Sequence, residues 1–344
     1  MTAHHTDIIN DPRFNKTIEL SVDPAVGCPS SFKVTYADYG YRNEVHPEEE
    51  NVFLFYGPLL GSRLAHAAKD GIAKKHKIRI LNLDRPGIGG TDAVDVKQRM
   101  SLWSGCHSGG LIYALDMLLH HPEILHPERP YLAIGGPWIL PCHTGSMGMS
   151  IIQSLPASVI GSVDKVARLI NNHIGPFVGA SLGFSSSFVT KLMPVPPQQG
   201  CAVLDEEARL EEELWPAVIK RIYSEGIQGT SSDAILLMQK GGGMAGWSDW
   251  GDYDTLIPRL ADALRVSGRR LRVDVFYAEN DFMIGGGHSK GAKWFDGCWD
   301  AQNCRDVIDY CSAAVKGADH DGIWRLRWGV PQKVLEKICQ PADN

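Results

Sequence analysis

Charge of one sign is what this sequence has little of. Its 34 Lys and Arg stand against 40 Asp and Glu, a formal net charge of −6. That is too small, and of the wrong sign, to draw nucleic acid or an anionic membrane surface. No apolar run approaches the length of a membrane span. Met1 to Asn10 is polar and lacks the apolar centre of a signal peptide. The eight cysteines, at 28, 106, 142, 201, 298, 304, 311 and 339, include no Cys-x-x-Cys pair. Scattered in this way they read as reduced thiols of a cytoplasmic protein, not as a disulfide frame or a zinc site. Repeats and low-complexity segments are absent. Two triple-glycine runs, Gly241–Gly243 and Gly285–Gly287, carry neither the Lys-Ser/Thr of a phosphate loop nor a G-x-G-x-x-G frame. The first reads as a joint and the second as a plain loop. No metal or organic cofactor is implied, and nothing in the sequence speaks to oligomeric state.

What is present is a globular composition, 44% hydrophobic and 22% charged over 344 residues, enough for a large core. Short strands are expected at Thr17–Val22 and Phe32–Tyr39. Asn51–Tyr56 is a continuous apolar run, the pattern of a strand buried on both faces. It leads through Gly57-Pro58-Leu59-Leu60-Gly61-Ser62-Arg63 into a helix at about Leu64–Lys75, then a second buried strand at Lys77–Leu83 closed by Asp84-Arg85-Pro86-Gly87. Strand, helix, strand in so short a span is a βαβ unit and implies a parallel sheet. Further strands are expected at Tyr131–Ile134, Leu271–Tyr277 and, weakly, Val307–Val315, with a closing helix at Val330–Ile338. Between about 141 and 245 the pattern is helical, clearest at Asp205–Glu225, where Leu210, Leu214, Val218 and Ile222 recur every fourth residue. Pro216 should kink that helix. The organisation expected is a core of residues 1–140 and 246–344, with 141–245 as a helical lid insert.

The chemistry centres on Ser104-Gly105-Cys106-His107-Ser108-Gly109-Gly110, which runs straight into an apolar helical stretch. Small-x-Ser-x-Gly before a helix is the pattern of a nucleophile elbow, where a strand turns sharply and leaves a serine at the bend. The bland alternative is that Ser108 merely caps the helix. A serine hydroxyl needs a base, and a base needs a carboxylate to set its tautomer. Asp281 follows the strand ending at Tyr277, and His320 follows the last strand signal. Glu279 is a rival acid. No Asp or Glu lies between Pro130 and Asp164, so the acid does not closely follow the Tyr131–Ile134 strand. His288 is too near Asp281 to sit on the last loop, His107 is expected to pack at the elbow, and His143 is expected to be structural, with a substrate-facing place as its alternative.

With these motifs in hand the chain resembles the α/β-hydrolase superfamily, in particular fungal-type lipase- and esterase-like serine hydrolases. The likeness is carried by Tyr56-Gly57…Gly61-Ser62-Arg63, by Asp84-Arg85-Pro86-Gly87, by the Ser108 elbow and by Asp281 with His320. It implies an α/β fold with a mostly parallel central sheet, and a triad of Ser108, Asp281 and His320 in the superfamily's chain order. It also implies an oxyanion hole from the amide of Gly109 and one from the loop after the third strand. The usual loop donor here is Pro58, which has no N–H, so Leu59 takes its place. The expected activity is hydrolysis of a carboxylic ester, or a thioester or amide, of a hydrophobic small molecule. Two alternatives stand beside it: a catalytically impaired binding protein, and a triad reused for cyclase, lyase or acyl-transfer chemistry.

One stretch departs from the superfamily's pattern. Only 23 residues separate Asp84 from Ser108. A crossover with its helix takes at least ~10–12 residues and a strand ~5 more, with loops besides. Val94–Met100 allows two helical turns at most, and Met100–Gly105 is poor strand material. The segment before the elbow is abnormally short.

Overall fold

The computed structural model describes residues 3–21, 31–94, 108–173, 204–240 and 252–340. Seven strands are present among them: β1 Lys16–Leu20, β2 Phe32–Gly40, β3 Asn51–Tyr56, β4 Ile78–Leu83, β5 Tyr131–Gly135, β6 Leu271–Asn280 and β7 Ile308–Asp319. They form two hydrogen-bonded groups, ordered β1-β2-β4-β3 and β5-β6-β7. β2 runs antiparallel to β1 and β4, whereas β3–β4, β5–β6 and β6–β7 are parallel. The architecture is therefore α/β with a mostly parallel sheet, as expected. The short stretch before the elbow, Val94–Met100 with Met100–Gly105, falls outside the described residues apart from Val94, as do Cys106, His107 and the run Gly241–Gly243.

The elements follow the sequence pattern with telling differences. The helix expected at 64–75 begins as a 3-10 turn, Arg63–Lys69, and becomes α-helical over Asp70–Lys75. The helix Glu206–Glu225 runs as one element through Pro216, started by Asp205, whose carboxylate accepts from the Ala208 amide at 2.7 Å. Its apolar face joins the same core as the 3-10 turn, with Leu214, Val218 and Ile222 beside Leu64 and Ala67. β7 is longer than its weak signal, because pairing along β6 supplies backbone hydrogen bonds where side-chain propensity does not.

β3 departs from the expectation of burial on both faces. Phe55 and Tyr56 are buried, but Val52 is 47% exposed and Phe53 and Leu54 are half-buried. These first residues border a cavity of about 280 Å³ between β3 and β5, covered by Met117 and Leu118 of the helix Gly110–His120. The end of the strand nearest the serine is thus the packed end. Between 141 and 240 every described element is a helix. No described helix is long and apolar enough to cross a membrane.

Candidate active site

Ser108 sits at the turn into the helix Gly110–His120 with φ +51°, the left-handed region that few non-glycine residues adopt. Such strain persists only where neighbours hold it, and it is the backbone form a nucleophile elbow requires. The Ser108 carbonyl accepts from the Leu111 amide at 3.0 Å and so opens the helix. Gly109 packs directly against the Leu237 side chain. A Cβ there would lie 2.6 Å from Leu237 Cδ1.

Asp281 and His320 are delivered by the parallel pair β6–β7. Asn280 is registered with Asp319, so the next residue of each chain leaves the sheet side by side. That register holds because β7 carries extra residues between Val315 and Asp319 opposite Ala278–Asn280. Gly317, at φ +79°, turns the bulge, and its amide donates to Glu279 Oε2 at 2.8 Å. Glu279 therefore braces the bulge and is not the acid beside the imidazole.

The three side chains meet. His320 Nε2 lies 3.0 Å from Ser108 Oγ, and His320 Nδ1 lies 2.6 Å from Asp281 Oδ2. Asp281 is fixed from its other oxygen, Oδ1, which accepts from the amides of Met283 and Ile284 at 2.9 and 3.0 Å. All three residues are buried, at 4%, 5% and 1% exposure for Ser108, Asp281 and His320. Gly136, at φ +56°, passes so close that a Cβ would sit 3.3 Å from His320 Nδ1. Burial pulls the imidazole pKa down, but the charge and hydrogen bond of Asp281, with Asp321 and Asp319 behind, outweigh it and push it up to about 9. With Nδ1–H donating to Asp281, a neutral His320 presents a bare Nε2 to the serine hydroxyl.

The loop after β3 is held by two buried arginines. Arg85 donates through Nη2 to the carbonyls of Pro58 and Leu59 at 2.6 and 2.7 Å, and its Nε faces Asp233 Oδ2 at 3.3 Å. Tyr113 donates its hydroxyl to Asp233 Oδ1 at 2.9 Å, tying the loop to the helix behind Ser108. Arg63 ends the loop with its amide on Asp84 Oδ1 at 2.6 Å and its guanidinium shared between Asp84 and Glu225. Leu59 and Ser108 line one cavity. Among the described residues, neither the Gly109 nor the Leu59 amide donates a backbone hydrogen bond.

Two other histidines lie apart from this geometry. His143 Nε2 lies 2.6 Å from Asp252 Oδ2, and its ring stacks on Trp294 at 3.7 Å. His288 is exposed. Among the described residues, one group has the spacing of metal ligands, His46 with Glu48 and Glu49. All three are exposed and none lines the cavity. Sequence reasoning missed Asp233 and Glu225, and it left Arg63 and Arg85 inside quoted motifs without a role. A lone acid in the apolar run around Asp233 was the one available signal.

Solved structures of the same overall shape cover nearly the whole chain. One is an enol-lactonase from Burkholderia xenovorans LB400, with TM-score 0.52, 11% identity, and coverage of 94% of this chain and 100% of that one. Another is the epoxide hydrolase VrEH1 from Vigna radiata, with TM-score 0.51, 14% identity, and coverage of 94% and 96%. A bromoperoxidase from Bacillus anthracis matches with TM-score 0.51, 10% identity, and coverage of 95% and 100%. The chain has the α/β-hydrolase fold. No protein-family model matches it, and no curated protein matches its sequence. At these identities the likeness extends to the α/β-hydrolase fold alone, so the chemistry must be argued from the side chains.

Proposed function

We propose that this α/β-hydrolase-fold protein is a serine hydrolase that cleaves the carboxylic ester of a hydrophobic small molecule through an acyl-enzyme. The observation that carries this is the unbroken path Ser108 Oγ–His320–Asp281, at 3.0 and 2.6 Å, beside an apolar cavity. His320 Nε2 takes the proton from Ser108 as Oγ attacks the carbonyl carbon. Charge develops on the carbonyl oxygen, and the amides of Gly109 and Leu59 are the donors proposed to receive it. Collapse expels the alcohol, which takes its proton from the imidazolium, and leaves the acyl group on Ser108. Water, deprotonated by His320, then releases the acid by the same route.

The stretch from 141 to 245 acts in this reading as a lid. Met149, Ile152, Ile160, Val163, Leu237 and Met238 all come from it and wall the cavity. Pro58 argues for a disabled hole and a pure binding protein. Arg85 answers it in part, because it anchors the Pro58 and Leu59 carbonyls and so fixes the loop that carries the Leu59 amide. The fungal lipase- or esterase-like character is supported by the quoted motifs alone. A fluorophosphonate probe tests the reading: it should label the wild type and not Ser108→Ala, which should also lose ~10⁵–10⁶ in ester turnover. Labelling that survives the substitution sinks it.

A further inference from the structure

Arg85 is a costly side chain to hold where it is. It is 2% exposed, and the carboxylate facing it, Asp233, is 1% exposed. Nε and Oδ2 stand 3.3 Å apart, and among the described residues Arg85 Nη1 makes no hydrogen bond. Apolar side chains of similar volume are often at least as stable as a buried ion pair. Stability alone therefore does not account for this one, and its hydrogen bonds supply another reason.

Arg85 Nη2 donates to two successive carbonyls, Pro58 at 2.6 Å and Leu59 at 2.7 Å. The Pro58 oxygen also accepts from the Gly61 amide at 2.7 Å, and the Leu59 oxygen from Thr230 Oγ1 at 3.5 Å. The Pro58 carbonyl and the Leu59 N–H belong to one planar trans peptide, so they point in opposite directions. Fixing that carbonyl fixes the N–H. A cationic donor on the carbonyl also polarises the peptide and makes its N–H a stronger donor. Pro58, Leu59 and Ser108 line the cavity, whereas Arg85 and Asp233 do not. Asp233 is placed from two sides. Tyr113, on the helix that follows Ser108, donates to its Oδ1 at 2.9 Å. The start of its own helix, Gly229–Leu237, is pinned to the loop after β4: the Gly229 amide donates to the Gly87 carbonyl at 2.8 Å, and the Gly89 amide to the Gly226 carbonyl at 2.9 Å.

We propose that Arg85 and Asp233 are positioning residues of the oxyanion hole. Arg85 sets the plane of the Pro58–Leu59 peptide and so aims the Leu59 N–H, and Asp233 holds the guanidinium that does this. The loop thereby keeps a donor although Pro58 has no N–H. The proposal rests on the serine-hydrolase reading and adds to it two residues outside the cavity lining.

The test compares wild type with the apolar triple Arg85→Met, Asp233→Leu and Tyr113→Phe, which leaves no member of the network buried without its partner. Its melting temperature should stay within about 5 °C of wild type. With p-nitrophenyl butanoate, kcat should fall at least about tenfold, toward the ~10²–10³ that loss of an oxyanion donor costs. KM should change by less than about threefold, because acylation and deacylation both use the hole and slow together. Trifluoromethyl propyl ketone reads the hole directly. Ser108 Oγ bonds to its carbonyl carbon, the hydroxyl proton passes to His320 Nε2, and the electron pair of the broken π bond stays on oxygen as an oxyanion. Its Ki should rise by about the factor that kcat/KM falls, a correlation that a merely structural role would not produce. Asp233→Asn should lower kcat at least about threefold alone and not at all beside Arg85→Met, since Asp233 acts through Arg85. If the triple does not fold, Arg85→Lys decides: it keeps the charge but ends one bond short of Nη2, and should lose at least about fivefold in kcat. Unchanged kcat in the folded triple or in Arg85→Lys, or a rise in KM that accounts for the whole loss, overturns the proposal. An Asp233→Asn effect that persists beside Arg85→Met overturns the part given to Asp233. Wild type is treated with the fluorophosphonate alongside. Labelling at Ser108 with unchanged kcat in the variants refutes only this proposal, whereas no labelling refutes the hydrolase reading beneath it.

Discussion

Replacing Asp281 by asparagine should move the pH dependence of the enzyme in a direction that only a working triad predicts. In the wild type His320 has a pKa of about 9 against an ordinary 6.5, with burial opposing and Asp281 more than compensating. At ~1.36 kcal/mol per pH unit, that gap is about 3 kcal/mol of net preference for the imidazolium. The variant loses the charge and keeps the burial, so its imidazole should titrate below the ordinary value. The acid limb of kcat/KM for p-nitrophenyl butanoate should therefore lie well above pH 6.5 in the wild type and below it in Asp281→Asn. The plateau should fall at the same time, because the developing imidazolium has lost its counter-charge. About 3 kcal/mol sets a floor of ~10² for the loss, and ~10⁴ is the scale seen when a triad aspartate is made neutral. The linkage to stability has a definite sign. A pKa raised by folding stabilises fully below the unfolded value, near pH 6.5, and the contribution disappears as pH rises through about 9. The wild-type melting temperature should fall across that window more steeply than that of the variant. A limb that stays in place or moves to higher pH, or a plateau loss under about tenfold, refutes the assignment of His320 as base with Asp281 as its partner.

Two further predictions concern the scaffold. Arg63→Met should cost about 3–5 kcal/mol in urea unfolding, because it leaves Asp84, whose side chain is 0% exposed, and Glu225 without their shared cation. A loss under about 1 kcal/mol would mean the network is no stronger than a surface pair. Gly109→Ala drives a methyl to 2.6 Å from Leu237 Cδ1, so the elbow amide should shift and kcat fall by about 10²-fold. Leu237→Ala in the same chain removes the clash and should recover most of that loss; no recovery would place the effect elsewhere.

Local pattern carried much of the fold. The apolar runs of β3, β4 and β6, and the periodic face of Glu206–Glu225, form the elements their side chains favour, since those patterns reflect burial by neighbours of any identity. Asp281 and His320 were legible for a similar reason: each directly follows a strand, and a superfamily chain order could be matched to them. The full length of β7 was not legible, because its last residues are strand only through hydrogen bonds to β6. Nor could Glu279 be separated from Asp281 on sequence, since both sit beyond the same strand and only the Gly317 bulge decides which carboxylate turns toward the imidazole.

What the linear order of residues determined by itself is the class of sheet, the described helices after β5 and the three kinds of side chain that the proposed chemistry needs. What only the tertiary structure decided is distance. Arg63 reaches Glu225 across 162 positions, and His320 reaches Ser108 across 212. The cavity beside Ser108 is likewise a product of surfaces that have no relation along the chain. The physical reason is range. Propensity and periodicity act within a turn or two of backbone, whereas a triad, a buried guanidinium and a cavity wall exist only once distant segments have excluded water together.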